Sequence, residues 1–258
     1  MIRRPPRSTQ GVSSAASDVY KRQYKEYIMS DSIYKDDISK YMGGLKKAAP
    51  ELNDAWMGYH NEVFAEGKIS KKDKQLIGLA CAHMTSCPYC IRSRTKLALA
   101  AGASAEEIAE TVFISMRLAI GQPYAYSSIA YENFDKMNNK ENVPEGNFFS
   151  KNITPQIKDF HDHSGTMFEK FSVFNEKVYA DGHLSKKLKK GLMGLACAIL
   201  AKCAWCVRSC IKDGIQEGVT KDEITEAINI AMVMNAGACW AHAGITMEVV
   251  DKSLSKDK

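Results

Sequence analysis

The stretch LIGLACAHMTSCPYCIRSRTKLALAAGASAEEIAETV, residues 76–112, decides the fold because the chain contains it twice. Shifted by 116 residues, it lies over LMGLACAILAKCAWCVRSCIKDGIQEGVTKDEITEAI, residues 192–228. Each copy carries a Cys-x-x-Cys motif followed two residues later by Arg-Ser. Upstream the offset drops to 115, which indicates that one residue was gained near Gly191. The chain is therefore predicted to be a tandem duplication.

The signals for secondary structure in both copies are those of helices. Gly102 is typical of a helix end, and Ser104 with Glu107 forms the capping-box pattern of a helix start. Thr220 with Glu223 repeats that pattern in the second copy. Segments that alternate apolar and polar residues, as strands do, are nearly absent. We expect an all-α fold of two packed repeats, with a buried stripe in each last helix through Ile108, Val112 and Met116 and through Ile224, Ile228 and Met232.

Composition and charge narrow the function classes. Of the 258 residues, 45% are hydrophobic and 25% charged, as in an ordinary globular protein. The formal net charge is +5, but residues 1–28 account for +4 of it, so the rest of the chain is nearly neutral. A nucleic-acid or anionic-membrane partner therefore has little electrostatic support. Without an apolar run of about 18 residues, no membrane span is predicted, and we expect a cytoplasmic protein.

The ends and the middle of the chain suggest its organisation. Residues 1–28 are rich in Arg and Ser, which is typical of a mitochondrial transit peptide. They resemble translated sequencing-adapter sequence more closely, so we expect a non-native leader and a natural start at Met29. The first repeat is then expected over 29–140 and the second over 153–258. Residues 141–152, rich in Asn, Gly and Pro, are the expected linker.

Two cysteines three residues apart at a helix start can open and close a disulfide. The free N–H groups and the positive end of the helix dipole there stabilise a thiolate. Pro88 suits the first helical turn. A static disulfide remains an alternative, as does a zinc or iron–sulfur site, for which the candidate ligands are Cys203, Cys206, Cys210 and either His242 or Cys239. Three thiols on one helix suit tetrahedral geometry poorly, so we predict no metal. Cys81 and Cys197 lie among Leu and Ala and are expected core residues.

The helical setting of these motifs resembles the AhpD-like, carboxymuconolactone decarboxylase superfamily. Its redox branch is marked by Glu, eleven residues, Cys-x-x-Cys, three residues and His. The resemblance covers roughly residues 45–137 and 155–252. It implies reduction of a small hydroperoxide or disulfide substrate, with Cys90 and Cys206 as nucleophiles and Cys87 and Cys203 as resolving cysteines. It also implies an external dithiol reductant, no organic cofactor and a homo-oligomer.

The sequence departs from the family pattern where that pattern moves protons. The Glu position falls on Gln75 in the first copy and on Lys190 or Gly191 in the second. The His position falls on Arg94 and on Cys210. Arg94 can lower the pKa of a neighbouring thiol but cannot act as a base at neutral pH. Thiol–disulfide exchange therefore survives these changes better than efficient peroxide reduction does.

Two histidines could supply the missing acid–base group. His242 lies on the closing helix and would serve the second copy if that helix packs over its cysteines. His83 lies on the helix before the first motif and could approach it. In both cases a partly buried structural histidine is the simpler interpretation.

Two other functions stay open at this point. One is a lactone decarboxylase or related isomerase, as in the other superfamily branch, which generally lacks the cysteine motif. The other is a redox-sensing or assembly module whose disulfides only stabilise helices.

Overall fold

The computed structural model describes residues 38–139 and 150–255, and every element in these ranges is helical. The first five helices are α1 (Ser39–Ala48), α2 (Pro50–Val63), α3 (Lys71–Met84), α4 (Pro88–Ala100) and α5 (Ala105–Asn138). The next are α6 (Thr154–Ser164), α7 (Thr166–Tyr179), a π-helical segment (Lys187–Met193) that continues into α8 (Gly194–Leu200), α9 (Ala204–Gln216) and α10 (Lys221–Leu254). The second set repeats the first about 115 residues later. The predicted all-α tandem fold is confirmed.

The residues predicted to begin and end helices do so in the structure. Both capping boxes form: the Ser104 hydroxyl accepts the Glu107 N–H and the Thr220 hydroxyl accepts the Glu223 N–H, while each glutamate accepts the N–H of its capping residue. Gly102 ends its helix with a positive φ of 88°. Such a left-handed conformation is open to glycine at little cost.

The π-helical segment accommodates the one residue that the second repeat gained near Gly191. A π-helix closes i→i+5 hydrogen bonds and so holds one more residue per turn than an α-helix. Here Gly191 faces α9, where a Cβ would lie 2.9 Å from the Cα of Gly214 and 2.6 Å from Cγ2 of Val219. Lys190 points to a different side and lines a cavity. Because Lys189 forms the same kind of ion pair as Lys74, the residue after it, Lys190 rather than Gly191, is the counterpart of Gln75.

The two repeats pack as a pseudo-dimer because each long last helix crosses onto the other repeat. Helix α10 packs against α1 and α3, and α5 packs against α6 and α8. Helices α3 and α8 meet at the centre, where Cys81 and Cys197 are completely buried and the Cys197 thiol is hydrogen-bonded to Cys81. Both cysteines are core residues, as predicted. Helix α3 buries all of its sides, including Ile77 and Gly78, as is typical of a helix at the centre of a fold.

Two equivalent ion pairs join the repeats. Lys74 Nζ of the first repeat lies 3.2 Å from Glu226 Oε2 of the second, and Lys189 Nζ lies 2.8 Å from Glu110 Oε2. Each glutamate also accepts two backbone N–H bonds from the other repeat; for Glu226 the donors are Lys68 and Ile69. The same clamp is thus built twice about a pseudo-two-fold axis.

The predicted buried stripe of the last helices was wrong at its two methionines, whereas Ile108, Ile224 and Ile228 do pack against the core. Met116 and Met232 are about half exposed (48% and 54%), whereas Ile114 and Ile230 are fully buried. The inner face of α5 also carries hydroxyl side chains, and the buried Ser115 donates to the carbonyl of Thr111 one turn earlier. A pattern that counts only apolar side chains scores such residues as polar, which shifts the apparent face.

The expected leader lies outside the described residues, as does most of the expected linker. Among residues 38–139 and 150–255, no helix combines the length and the apolar character that crossing a membrane requires.

Candidate functional site: two Cys-x-x-Cys motifs under crossing helices

The first Cys-x-x-Cys motif begins α4. Cys87 is the N-cap, with extended backbone angles, and its Sγ accepts the backbone N–H of Cys90 at 3.3 Å. Pro88 occupies the first helical turn, where no N–H is needed. The preceding Ser86 is left-handed (φ 53°), a conformation that a non-glycine residue adopts only when its surroundings impose it. The sharp turn at Ser86 places the sulfur of Cys87, rather than a side-chain oxygen, at the N-terminus of α4.

The two thiols of this motif differ in acidity. The Cys90 thiol, which donates to Cys87, lowers the pKa of Cys87 to about 6 against the opposing effect of burial, and backbone N–H groups assist. The pKa of Cys90 is raised by the same hydrogen bond and by burial, with Arg94 opposing. At neutral pH the negative charge therefore resides on Cys87. The more acidic thiol is the less accessible one: Cys87 is fully buried, whereas Cys90 is 9% exposed and lines a cavity.

This cavity has a volume of about 350 Å³ and is mostly apolar. Helices α1, α2 and α4 of the first repeat form three sides, and α10 of the second repeat closes it. Cys90 Sγ lies 3.9 Å from the carbonyl oxygen of Gly237 on α10. Trp56 and Trp240 also line the cavity, and the buried Nε1 of Trp240 finds no acceptor among the described residues.

The residues at the family's proton-relay positions do meet beside Cys90. Arg94 is 6% exposed; its Nη1 donates to Gln75 Oε1 at 2.9 Å and its Nη2 to His60 Nε2 at 2.5 Å. The guanidinium lies 3.7 Å from the centre of the Phe64 ring. Burial lowers the pKa of Arg94 to about 10, so it stays cationic at neutral pH.

His60 is the site residue that the sequence analysis missed. It lies on α2, outside the duplicated stretch, so only the tertiary fold brings it to Arg94. Burial lowers the pKa of His60, a bond to Asn61 opposes this, and the charge of Arg94 adds to the lowering. Because arginine can only donate, His60 Nε2 is the acceptor and the ring is neutral. The spacing of Trp56, His60 and Phe64, four residues apart, is the one signal that could have indicated it.

The second motif repeats this geometry with its sulfurs bonded. Cys203 caps α9 and accepts the Cys206 N–H at 3.2 Å, behind a left-handed Lys202 (φ 55°). Cys203 and Cys206 form a disulfide. Cys203 is fully buried, whereas Cys206 is partly exposed and lines a cavity of about 790 Å³. Helix α5 of the first repeat forms one wall of it, including Gly121, the counterpart of Gly237.

Cys210, the other expected auxiliary of this motif, lies one turn beyond Cys206 in the same cavity. Burial raises its pKa to about 12 and Asp213 adds to this, so it is a neutral thiol. Of the candidate ligands for the alternative metal site, Cys203 and Cys206 are bonded to one another and Cys239 is exposed. In the described ranges no cluster of three His, Cys, Asp or Glu side chains is placed to hold a metal ion.

The condition under which His242 would serve the second motif is not met. Its ring packs edge-on against Tyr89, with centroids 5.8 Å apart, and His242 is one of the groups that lower the pKa of Cys87. It therefore lies beside the first motif and not the second, because α10 crosses to the other repeat. His83 is partly buried at the end of α3, burial lowers its pKa, and it lies outside the cavity lining.

Comparison with known protein families also divides the chain into two segments, one in each repeat. The model of the carboxymuconolactone decarboxylase family matches residues 50–125 and 166–245, more than half of the chain. The chain belongs to this family. The two matches cover both Cys-x-x-Cys motifs and the helices that frame them.

Two relatives each match about two fifths of this chain. Uncharacterized protein 4 in the cox locus of Paracoccus denitrificans is 34% identical over 99 residues, which is 89% of that protein but 38% of this chain. An uncharacterized protein of Cupriavidus necator is 29% identical over 102 residues, 90% of its length and 40% of this chain. A crystal structure from Burkholderia xenovorans LB400, provisionally named a gamma-carboxymuconolactone decarboxylase subunit, has a TM-score of 0.63. It covers 84% of this chain and 92% of its own at 16% identity, and so indicates the fold alone.

Proposed function

We propose that the protein is a thiol–disulfide oxidoreductase whose first repeat reduces small hydroperoxides through the Cys87–Cys90 dithiol. The observation that carries this proposal is that the two cysteines differ: one is acidic and the other is accessible. Cys87 holds a thiolate at a helix N-terminus, with its pKa at about 6, while Cys90 faces the cavity. A structural disulfide would need neither the low pKa nor the access.

The two sulfurs can replace the missing relay. The proton on Cys90 passes along its hydrogen bond to the Cys87 thiolate, which leaves a Cys90 thiolate facing the substrate. That sulfur attacks the outer oxygen of a hydroperoxide, the O–O bond breaks, and the alkoxide leaves as an alcohol after taking up a proton. The buried Arg94 cation lowers the cost of the Cys90 thiolate.

The second half of the cycle closes the disulfide. Cys87, which returns its proton to solvent, attacks the Cys90 sulfenic acid and expels water. The balance is one hydroperoxide and one dithiol giving one alcohol, one water and one disulfide. An external dithiol then restores the reduced pair.

The cavity supports a substrate with a small apolar body and an oxygen that can accept a hydrogen bond. Its walls are mostly apolar, and the indole Nε1 of Trp240 supplies a donor. A lactone decarboxylase reaction remains the rival within the family. A thiol pair has no evident task in such a reaction, and a dithiol in each repeat therefore favours redox chemistry.

The test is a single-turnover reaction of the pre-reduced protein with tert-butyl hydroperoxide, in a Cys203→Ser/Cys206→Ser background so that only the first repeat reacts. Mass spectrometry follows the Cys87–Cys90 disulfide and chromatography the alcohol. We expect one alcohol per disulfide, loss of both in Cys90→Ser, and no change in Cys239→Ser, which removes an exposed cysteine elsewhere. Unchanged turnover in Cys90→Ser, or a lower melting temperature with no activity to lose, would contradict the proposal.

A further inference from the structure

The cavity beside the second motif differs in chemistry from its counterpart, although the same fold builds both. Its volume is about 790 Å³ against about 350 Å³ for the first. Where the first cavity has Leu97, the second has Asp213, and where the first has Val233, the second has Arg117. Lys190 stands at the counterpart of Gln75. Duplication has thus produced one apolar and one charged pocket.

The second cavity is lined by charges of both signs. Lys186 and Asp181, at its edge, are paired with one another at 3.0 Å. Among the described residues, no ion pair engages Arg117, Lys190 or Asp213. Arg117 donates its Nε–H to Asn175 Oδ1, and its guanidinium lies over the Phe171 ring at 5.1 Å. Its outer nitrogens remain available to a ligand. Unpaired charges of opposite sign in one pocket are complementary to a ligand that carries both signs.

The positive charge lies next to the reactive sulfur. A Cβ at Gly121 would be 3.4 Å from Nη1 of Arg117 and 3.4 Å from Sγ of Cys206. The guanidinium and the sulfur therefore flank the same point on α5. Because Gly121 has no side chain, a ligand carboxylate bound at Arg117 can bring its own sulfur to Cys206.

The disulfide is arranged for attack from this side. Cys206 is the partly exposed sulfur, and Cys203, fully buried, accepts a backbone N–H at the start of α9. An incoming thiolate that attacks Cys206 expels Cys203 as a thiolate, which the helix N-terminus stabilises. A second molecule of the thiol then attacks the mixed disulfide at the ligand sulfur. Two thiols are oxidised to one disulfide, and the Cys203–Cys206 pair becomes a dithiol.

We propose that the second cavity binds zwitterionic, amino-acid-derived thiols and their disulfides, and exchanges them with the Cys203–Cys206 pair. Arg117 and Lys190 bind the carboxylate groups of such a ligand, and Asp213 binds its ammonium group. This inference rests on the proposed redox function and names the substrate class of the second repeat. The two repeats then differ in substrate: an apolar hydroperoxide at the first and a charged thiol at the second.

The test uses the full chain with Cys87→Ser and Cys90→Ser, so that only the second pair exchanges. Reduction of the Cys203–Cys206 disulfide is followed over one range of thiolate concentrations, matched between thiols, with cysteine, glutathione, cysteamine, 3-mercaptopropionate and 2-mercaptoethanol. We expect saturable rates with cysteine and glutathione, whose groups carry both charges. The singly charged thiols and the neutral thiol should give rates that rise linearly with concentration.

Charge variants separate binding from reactivity. Arg117→Gln and Asp213→Asn should each raise the KM for glutathione by about tenfold, as expected for loss of one charge-assisted contact, and should change the rate with 2-mercaptoethanol by a smaller factor. Arg208→Gln, which removes an exposed cation on α9 outside the cavity, is the matched control and should change neither. Equal, linear rates with all five thiols that the charge variants do not alter would overturn the inference and leave the redox function standing.

Binding without chemistry is measured by titrating the oxidised protein with S-methylglutathione in a calorimeter. Saturable binding that Arg117→Gln weakens supports the site. If the analogue binds but no thiol reduces the disulfide, the exchange step is overturned, and with it the redox function of this repeat. If the analogue does not bind at all, the zwitterion site is overturned.

Discussion

Cys90 of the first repeat lies against Gly237 of the second, with its Sγ 3.9 Å from the glycine carbonyl oxygen. The pseudo-two-fold counterpart is Cys206 against Gly121, where the sulfur lies 3.4 Å from the point that a Cβ would occupy. Each sulfur pair is therefore covered by the long helix of the other repeat. Neither candidate site is complete within one repeat, which gives the fusion of the two a physical consequence.

A side chain at Gly237 should act on a cysteine that belongs to the other repeat. In Gly237→Val the new methyl groups enter the cavity between Trp56 and Cys90, so alkylation of reduced Cys90 should slow by roughly tenfold because access is lost. Gly237→Ala should be tolerated, since its Cβ would meet only Trp56, at 3.9 Å. Alkylation rates of each cysteine, measured by mass spectrometry, test this. Gly121→Val is the matched control and should slow Cys206 instead; equal slowing of both sulfurs would contradict the crossed arrangement.

The acidity of the first pair gives a prediction about pH. The pKa of Cys87 is lowered to about 6, and a thiol reacts as its thiolate, so alkylation of the pair should rise with a midpoint near pH 6. In Cys87→Ser the hydrogen bond that most raises the pKa of Cys90 is lost, but burial still raises this pKa, so the midpoint for Cys90 should lie above the ordinary thiol value of about 8.5. A wild-type midpoint near 8.5 would contradict the assignment of the thiolate to Cys87.

The sequence was sufficient for most of what local pattern determines, although not for the buried face of the last helices. The duplication, the all-α class, both capping boxes and the burial of Cys81 and Cys197 followed from spacing and residue type. Even the inserted residue near Gly191 was visible as a change of offset, although not that it would form a π-helix. The expected reductant, oligomer and compartment, and the boundaries of the two repeats, stay predictions.

What the sequence could not supply was the crossing of the last helices. His242 was assigned to its own repeat because chain neighbours are usually spatial neighbours, yet α10 carries it to Cys87. For the same reason Arg117 could not be connected with Cys206, nor His60 with Arg94. Each of these pairs depends on tertiary packing, which leaves no periodic signal in a single sequence.

Arg94 should matter for both stability and reactivity. In Arg94→Gln the buried acceptors on Gln75 and His60 lose a charged donor, which should cost about 1–3 kcal/mol of unfolding free energy. The cation that opposes the high pKa of Cys90 is lost as well, so hydroperoxide reduction should slow. Urea denaturation and single-turnover rates measure the two effects. Arg92→Gln, at an exposed position on the same helix, should leave the turnover rate unchanged.

The two equivalent ion pairs between the repeats should lose similar amounts of stability when their lysine is removed. Lys74→Met and Lys189→Met each leave a partly buried glutamate without its cation, and each should cost about 2–3 kcal/mol in urea denaturation. If one substitution leaves the free energy of unfolding unchanged and the other lowers it strongly, the two ion pairs are equivalent in structure but not in their contribution to stability.

The same clamps predict the behaviour in acid. Burial raises the pKa values of Glu110 and Glu226, but the backbone N–H bonds and the lysines outweigh it, so both are lowered overall. A carboxylate with a lowered folded-state pKa stabilises the fold above its unfolded value of about 4.3, and this contribution disappears as the pH falls through the folded value. Unfolding free energy should therefore fall below about pH 4.3, and it should fall less steeply in the two lysine variants. A pH dependence identical to that of the unsubstituted chain would contradict this role.

Gly191 tests whether the π-helical segment is a packing solution or a tolerated irregularity. A methyl group there would lie 2.9 Å from the backbone of Gly214 and 2.6 Å from Val219, so Gly191→Ala must push α9 away and should cost about 1–3 kcal/mol. Because α9 carries Cys206 and the adjacent Lys190 lines the same cavity, exchange at the second pair should slow while that at the first stays constant. Gly58→Ala is the control: it lies within α2 with nothing within 4 Å of the added Cβ. It should stabilise the fold by up to about 1 kcal/mol. If Gly191→Ala is equally stabilising, the close approach of the π-helical segment to α9 does not determine the geometry of the second site.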